Sequence, residues 1–451
     1  MKRLLLFSLM LSLILVAAGP VAAAPNATIG INVVLNTPVS DEILKDLGTR
    51  GRVLDVIYEI KALTMKIKTS QLAEIKALPY VAAANPDAVR QGAPIDTVSV
   101  DNFAGGLSTW NLDSINVTDF GFDNRQVAYD GTGVYVAVLD TGLMDSWRRY
   151  FPEERIADEY AKSFGGGGGQ SVTISEQPNK WEHDQNGHGT HVTSSILGYS
   201  LRGTPVNGVA PMVNIIPVKV LNQNGSGWSS VIARGIEYIG DLKAGPLADD
   251  PVIINMSLGG TVLDAVEQAA IDYAISKGVI IVASAGNRGE AGMGYPGAYE
   301  PVISVAAYGW LYTFESGWTA DVDDPTEPTQ FYIDSFSSRE LADQDLDVAA
   351  PGSWIVGPYQ LNSGMTNSYY YLSGTSMASP HVAGIVALMA EKYPSLTAAE
   401  AETILEDSAI HLAADTRDVY TPYGTFEIYT WGDDATGAGL VDAAAALDAI
   451  Q

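Results

Sequence analysis

Five largely apolar stretches mark out the larger part of the chain: Val134 to Leu139, Asn214 to Leu221, Val252 to Ser257, Val279 to Ala283 and Val302 to Ala307. Strands that expose one face alternate apolar and polar residues, whereas near-continuous apolar runs of this length belong to strands covered on both sides. Between the runs, Ser230 to Leu242 and Asp264 to Lys277 repeat apolar positions at helical spacing. Buried strands alternating with helices predict an α/β fold, a parallel sheet with helices on both faces. In such sheets functional residues gather at the carboxyl ends of the strands. Asp140 ends the first run and Asn287 closely follows the fourth.

The segment before this sheet has another texture. Ile29 to Leu35 reads as a strand, and Ser40 caps a helix that opens at Asp41. Val56 to Lys68 reads as strand material around a turn, Ser70 to Ile75 starts a second helix, and Val81 to Val89 closes the sheet. The order β-α-β-β-α-β predicts a small α+β unit ahead of the main domain. Gly92, Pro94, Gly105 and Gly106 break any periodicity, so residues 91–107 read as a linker. Gly165 to Gly169 reads as a surface loop, and residues 309–333 as an insertion.

At the N-terminus, Lys2 and Arg3 precede an apolar run from Leu4 to Ala18, followed by Ala22-Ala23-Ala24. That is the layout of a signal peptide over 1–24, which predicts a secreted, extracellular protein with no membrane attachment after cleavage.

Composition narrows the chemistry. The 451 residues contain no cysteine, which excludes a disulfide framework and thiol catalysis. The formal net charge is −28. Residues 1–90 hold 10 Lys and Arg against 7 Asp and Glu, so the rest holds 15 against 46. So acidic a body repels nucleic acid and anionic membranes, and neither is expected as a partner.

Three glycine-bearing signatures carry the candidate chemistry: Asp140-Thr141-Gly142, His188-Gly189-Thr190-His191-Val192, and Gly374-Thr375-Ser376-Met377-Ala378-Ser379-Pro380-His381. A serine hydroxyl attacks only when a base takes its proton, and a carboxylate fixes the tautomer of a histidine base. The three signatures, in the order Asp, His, Ser, resemble the subtilisin-like serine proteases, the subtilases. The resemblance covers 107–451 strongly. It implies Ser376 as nucleophile, His188 as base and Asp140 as its orienting partner. Ala283-Ser284-Ala285-Gly286-Asn287 resembles the segment with the oxyanion asparagine, so Asn287 would donate there beside the Ser376 N–H. Sedolisins, which share a similar serine motif, place an aspartate at that point.

The same resemblance makes Gly225, Ser226 and Gly227 one wall of a peptide-binding cleft and Ser257, Leu258 and Gly259 the other, with an extended peptide between them. Gly294 would floor the pocket for the residue before the cut (P1) and favour large apolar side chains. The small N-terminal unit resembles an inhibitory, chaperone-like propeptide, which gives 25–106 as propeptide and linker and 107–451 as the peptidase domain. The expected protein is a monomeric, self-processing endopeptidase acting on proteins and peptides, with its own propeptide as inhibitor. No cofactor is required for the chemistry. Structural calcium is a family trait, but residues 200–207 lack the oxygen side chains of the usual calcium loop and carry Arg202. Two rivals are a catalytically dead scaffold and a metal hydrolase built on His188 and His191. The first is opposed by the full set of catalytic residues, the second by the missing helix-borne glutamate. His191 and His381 are expected to be core packing.

Overall fold

The computed structural model describes residues 27–100, 110–119, 124–167, 172–314, 322, 324–362 and 364–450. The segment 1–24, expected to be a signal peptide, and residues 101–107 of the expected linker lie outside the described residues.

The N-terminal unit contains β1 (Thr28–Leu35), α1 (Asp41–Gly48), β2 (Arg52–Ile57), β3 (Ala62–Lys68), α2 (Leu72–Lys76) and β4 (Val81–Pro86). The strands pair in the order β2-β3-β1-β4, all antiparallel. Ser40 caps α1 by accepting from the Ile43 N–H. Ile31, Val33, Leu63, Met65, Leu47 and Ile75 form its own core. The expected element order is therefore present. One boundary differs: the chain leaves this sheet at Pro86, and β5 (Val89–Gln91) pairs elsewhere, as does β6 (Asp96–Ser99).

The main unit opens with α3 (Trp110–Asp113), β7 (Tyr135–Asp140), β8 (Lys162–Gly167), β9 (Val172–Glu176) and α4 (His188–Leu197). Next come β10 (Gly198–Leu201), β11 (Thr204–Asn207), β12 (Asn214–Lys219), β13 (Ser226–Trp228), α5 (Ser229–Ala244), β14 (Val252–Met256) and α6 (Ala265–Ser276). The chain continues through β15 (Val279–Ser284), β16 (Ile303–Trp310), β17 (Phe331–Ile333), β18 (Val348–Pro351), β19 (Ile355–Pro358) and β20 (Tyr369–Ser373). It ends with α7 (Thr375–Lys392), α8 (Ala398–Asp407), β21 (Asp415–Tyr420), β22 (Phe426–Trp431) and α9 (Ala443–Ala449).

The central sheet runs β17-β16-β15-β14-β7-β12-β8-β9, with β18 also on β16. Its interior pairings are parallel, as expected; β17 and β9 join antiparallel at the edges. Alternate residues of β7 feed two cores. Val136 and Val138 pack with α4 and α7, while Ala137 and Leu139 pack with α5 and α6. This covering of both faces is why the strands read as apolar without alternation.

One expectation changes. Gly165 to Gly167 belong to β8 rather than to a loop, because β8 pairs with β12 and β9; Gly168 and Gly169 lie outside the described residues. At the end of the segment 309–333, read as an insertion, Phe331, Tyr332 and Ile333 are buried and extend the sheet as β17.

Candidate active site

Asp140 is the last residue of β7 and His188 the first of α4. The His188 Nδ1 stands 2.8 and 2.9 Å from the two Asp140 carboxylate oxygens, and both side chains are buried. That arrangement keeps the ring proton on Nδ1, which donates to the carboxylate, and leaves Nε2 as the basic nitrogen. The start of α4 is held by Asp184, which accepts from the N–H groups of Asn186 and Gly187 and from the Thr141 hydroxyl. Thr141 Oγ1 in turn accepts from Gly189 N–H. Burial raises the Asp184 carboxyl pKa above its ordinary value, with Lys219 opposing. Sequence reasoning missed Asp184, although it stands only four residues before His188.

Ser376 sits in the first turn of α7, beside the end of β20. Its Oγ donates to the Ser257 carbonyl at 3.2 Å, and the buried His188 Nε2 has no hydrogen-bond partner among the described residues. Catalytic hydrogen bonds commonly close only in the reacting complex. Pro380 lies inside α7 and brings no N–H to the Ser376 carbonyl four residues earlier. The Ser257 hydroxyl donates to that carbonyl instead, at 2.8 Å. A proline that would break an ordinary helix here ties one wall of the cleft to the serine.

Asn287 follows β15. Its Oδ1 accepts from both the N–H and the hydroxyl of Thr375, each at 2.9 Å. The amide orientation is thereby fixed, which leaves Nδ2 as the donor. Asn287, Ser376, Gly259, Gly260, Ser284, Gly286 and Gly294 line a cavity of about 290 Å³. Gly294 belongs to it as expected; Gly286 joins it at a φ of +109°.

The two cleft walls are occupied by the chain itself. Gln91 N–H donates to Gly259 O and Gly259 N–H to Gln91 O, each at 2.9 Å, while Ser226, Gly227 and Trp228 pair with Gln91, Arg90 and Val89. Gly92 N–H donates to Gly225 O at 2.9 Å. Gly92 is forced to be small, since a Cβ there would stand 2.8 Å from Ser257 O and 3.3 Å from His188 Cε1. Gly225, at φ +68°, is equally tight: its Cβ would meet Gly92 O at 2.4 Å. Leu258 is buried beneath the second wall and accepts from Ser284 Oγ. Beyond Gly92, Ala93 and Pro94 line the cavity that contains Ser376, and Ile95 N–H donates to Ser373 O at 2.7 Å. A substrate in the same register would place its P1 residue where Ala93 lies and the residue after the cut where Pro94 lies.

His191 and His381 are buried in the core. His191 Nε2 meets the Ile355 carbonyl, and burial pushes its imidazole down to about 3. His381 Nδ1 meets Met377 O, and burial pushes it down to about 4. His188 and His191 each give one ring nitrogen to a different partner, Asp140 and the Ile355 carbonyl.

The loop at 200–207 is a tight hairpin, β10 with β11, turning at Arg202 (φ +53°) and Gly203 (φ +99°). Another group could hold a cation: Asp345, Asp347 and Glu402 each offer one oxygen, and these lie within 4.8 Å of one another. Asp347 Oδ1 is buried without a hydrogen-bond partner among the described residues, and burial raises Asp347 to about 8 and Glu402 to about 7. A cation would relieve that desolvation.

The sequence profile of the subtilase family, Peptidase_S8, matches residues 131–436. The chain belongs to the subtilase family. It is a subtilisin-like serine protease, a hydrolase. This subtilase is 33% identical over 368 residues to a thermostable alkaline protease of Halalkalibacterium halodurans, covering 80% of this chain and 82% of that one. It is 30% identical over 368 residues to an extracellular serine proteinase of a Thermus species, covering 81% and 75%. Among solved structures it resembles fervidolysin of Fervidobacterium pennivorans, described as a keratinolytic enzyme related to subtilisin, with a TM-score of 0.65 and 25% identity. That match covers 94% of this chain and 61% of fervidolysin.

Proposed function

We propose that this subtilase is a secreted, monomeric endopeptidase that works through Asp140, His188 and Ser376 and is made as a self-processing precursor. The carrying observation is the extended segment from Val89 to Ile95, which runs between the walls and past Ser376 as a substrate would. Ser376 Oγ attacks the carbonyl carbon of the P1 residue as its proton passes to His188 Nε2. The oxyanion is met by Asn287 Nδ2 and the Ser376 N–H. Collapse breaks the C–N bond, and the departing amine takes the proton from His188. Water then enters by the same relay and hydrolyses the acyl-enzyme. Asp140 stays ionised and holds the imidazolium.

The cavity beside Ala93 is larger than a methyl group needs, which supports a preference for large apolar P1 residues. In the precursor, residues 25–106 serve as folding aid and inhibitor. A leader of signal-peptide composition and an extracellular relative support secretion. Zymography of secreted protein, with and without a serine-directed phosphonate, tests the reading. Lysis should vanish with the phosphonate and in Ser376→Ala, which should accumulate as a folded, uncut precursor. Lysis by the Ser376→Ala protein would overturn it.

A further inference from the structure

The chain does not stop pairing at Ile95. Asp96, Thr97, Val98 and Ser99 run antiparallel to β20, opposite Ser373, Leu372, Tyr371 and Tyr370, and Val100 N–H donates to Tyr369 O at 2.9 Å. On its other side β20 is paired with β19 along its length. One segment of chain thus lies in the cleft before the catalytic serine and continues beyond it as the third strand of a sheet. Removing that segment opens the edge of β20, and an open strand edge beside a peptide cleft is a site for β-augmentation. Tyr371, opposite Val98, packs against Phe314 at 5.1 Å between centroids, and Phe314 against Trp354 at 5.5 Å. The open edge would therefore be walled by aromatic rings.

We propose that in the processed enzyme the edge of β20 binds the part of the substrate that follows the scissile bond, over its third to seventh residues. The occupant is an extended stretch of polypeptide in the register now taken by Asp96 to Val100. The inference rests on the endopeptidase reading above and extends it. Recognition there is by main chain, so it asks for an unfolded segment rather than a particular sequence, with an apolar residue favoured opposite Tyr371. Folded domains and short peptides are correspondingly poor substrates.

Antiparallel pairing imposes a period of two. Residues that exchange hydrogen bonds with the partner strand alternate with residues that do not. Since Val100 donates to Tyr369, the position of Val98 is a donating position and that of Thr97 is not, while at the near end Ser373 O takes the Ile95 N–H.

The test uses processed enzyme whose N-terminus, by sequencing, lies beyond Val100. Quenched fluorescent peptides share one sequence before the cut and carry two, four, six or eight residues after it. The expected kcat/KM rises by about fivefold for each hydrogen bond gained and then levels off. In the longest peptide, N-methylation of the fifth residue after the cut should undo about one such step, and N-methylation of the fourth should not. A rate that is flat beyond the second residue, equal effects of the two methyl groups, or a mature N-terminus that keeps residues 96–99 in place would overturn this inference while leaving the protease reading intact. Failure to cut any peptide would overturn both.

Discussion

Gln91 and Gly259 exchange main-chain hydrogen bonds in both directions, each 2.9 Å long. This pair sets the register of the whole cleft segment. With Gln91 third from the cut, Gly92 packs on His188, Ala93 faces the P1 cavity, and the bond presented to Ser376 is Ala93–Pro94. A proline nitrogen carries no N–H, and its ring restricts the residue before it. The precursor therefore offers its serine a bond that is hard to cut. Pro94→Ala should shorten maturation several-fold, with the first cut after Ala93. A time course followed by N-terminal sequencing checks this, and an unchanged rate with a first cut elsewhere would count against it.

Replacing Asn287 by Ala removes the side-chain donor proposed for the oxyanion while Thr375 remains. The expected loss is about 10²–10³ in kcat with little change in KM, the usual cost of one such donor. Steady-state kinetics on a peptide amide decide it. A large rise in KM at constant kcat would assign Asn287 to ground-state binding.

Gly294 is buried, and a Cβ on it would stand 3.2 Å from Gly260 O, so larger branches are turned toward the cavity. Gly294→Val should lower kcat/KM for phenylalanine at P1 by about tenfold or more relative to alanine. Profiling on a peptide library varied at P1 gives the answer, and an unchanged profile would rule out Gly294 as the floor.

The contact between the N-terminal unit and the main unit titrates. Asn32 Nδ2 is shared between Asp87 and Asp264, at 3.0 and 2.9 Å, and Ser229 Oγ between the same two carboxylates, at 2.8 and 2.6 Å. Ser230 adds its N–H and hydroxyl to Asp87, and nearby Arg90 Nε lies 3.0 Å from both oxygens of Glu267. Burial first, then repulsion by Asp264, raises Asp87 to about 6 against the serine donors. Burial also raises Glu267, with Arg90 opposing. A carboxyl raised in the docked state takes up a proton on docking, so the contact is strongest below about pH 4 and weakens as pH climbs to about 6. Retention of the cut N-terminal unit, followed by gel filtration, should fall by up to about a hundredfold in affinity across that window and be flat above it. Asp87→Asn should flatten the profile.

Much of this molecule was legible in its residues. The apolar runs of β7, β12, β14, β15 and β16 announced a buried parallel sheet because both faces are covered. Asp140, His188, Ser376 and Asn287 were legible because their neighbours must be small or must cap a turn. The register of Gln91 to Ser99 was not, since main-chain hydrogen bonds place it and no side chain encodes it. The position of β17 was hidden for a related reason: Phe331, Tyr332 and Ile333 make a strand too short to be told from any apolar patch. Pro380 was visible as an anomaly, but its use appears only once Ser257 is seen on the Ser376 carbonyl.

The path from Pro86 to Val100 stitches the N-terminal sheet, the cleft and β20 together with one uninterrupted thread. While the thread is whole, the N-terminal unit faces the cleft at an effective concentration on the order of millimolar, whatever the dilution of the protein. One cut anywhere along it turns that into an ordinary two-body equilibrium. On the proposed precursor reading, latency of the whole chain would be indifferent to volume, whereas the cut pair would come apart as it spreads into its surroundings, so dilution itself would become the signal for release.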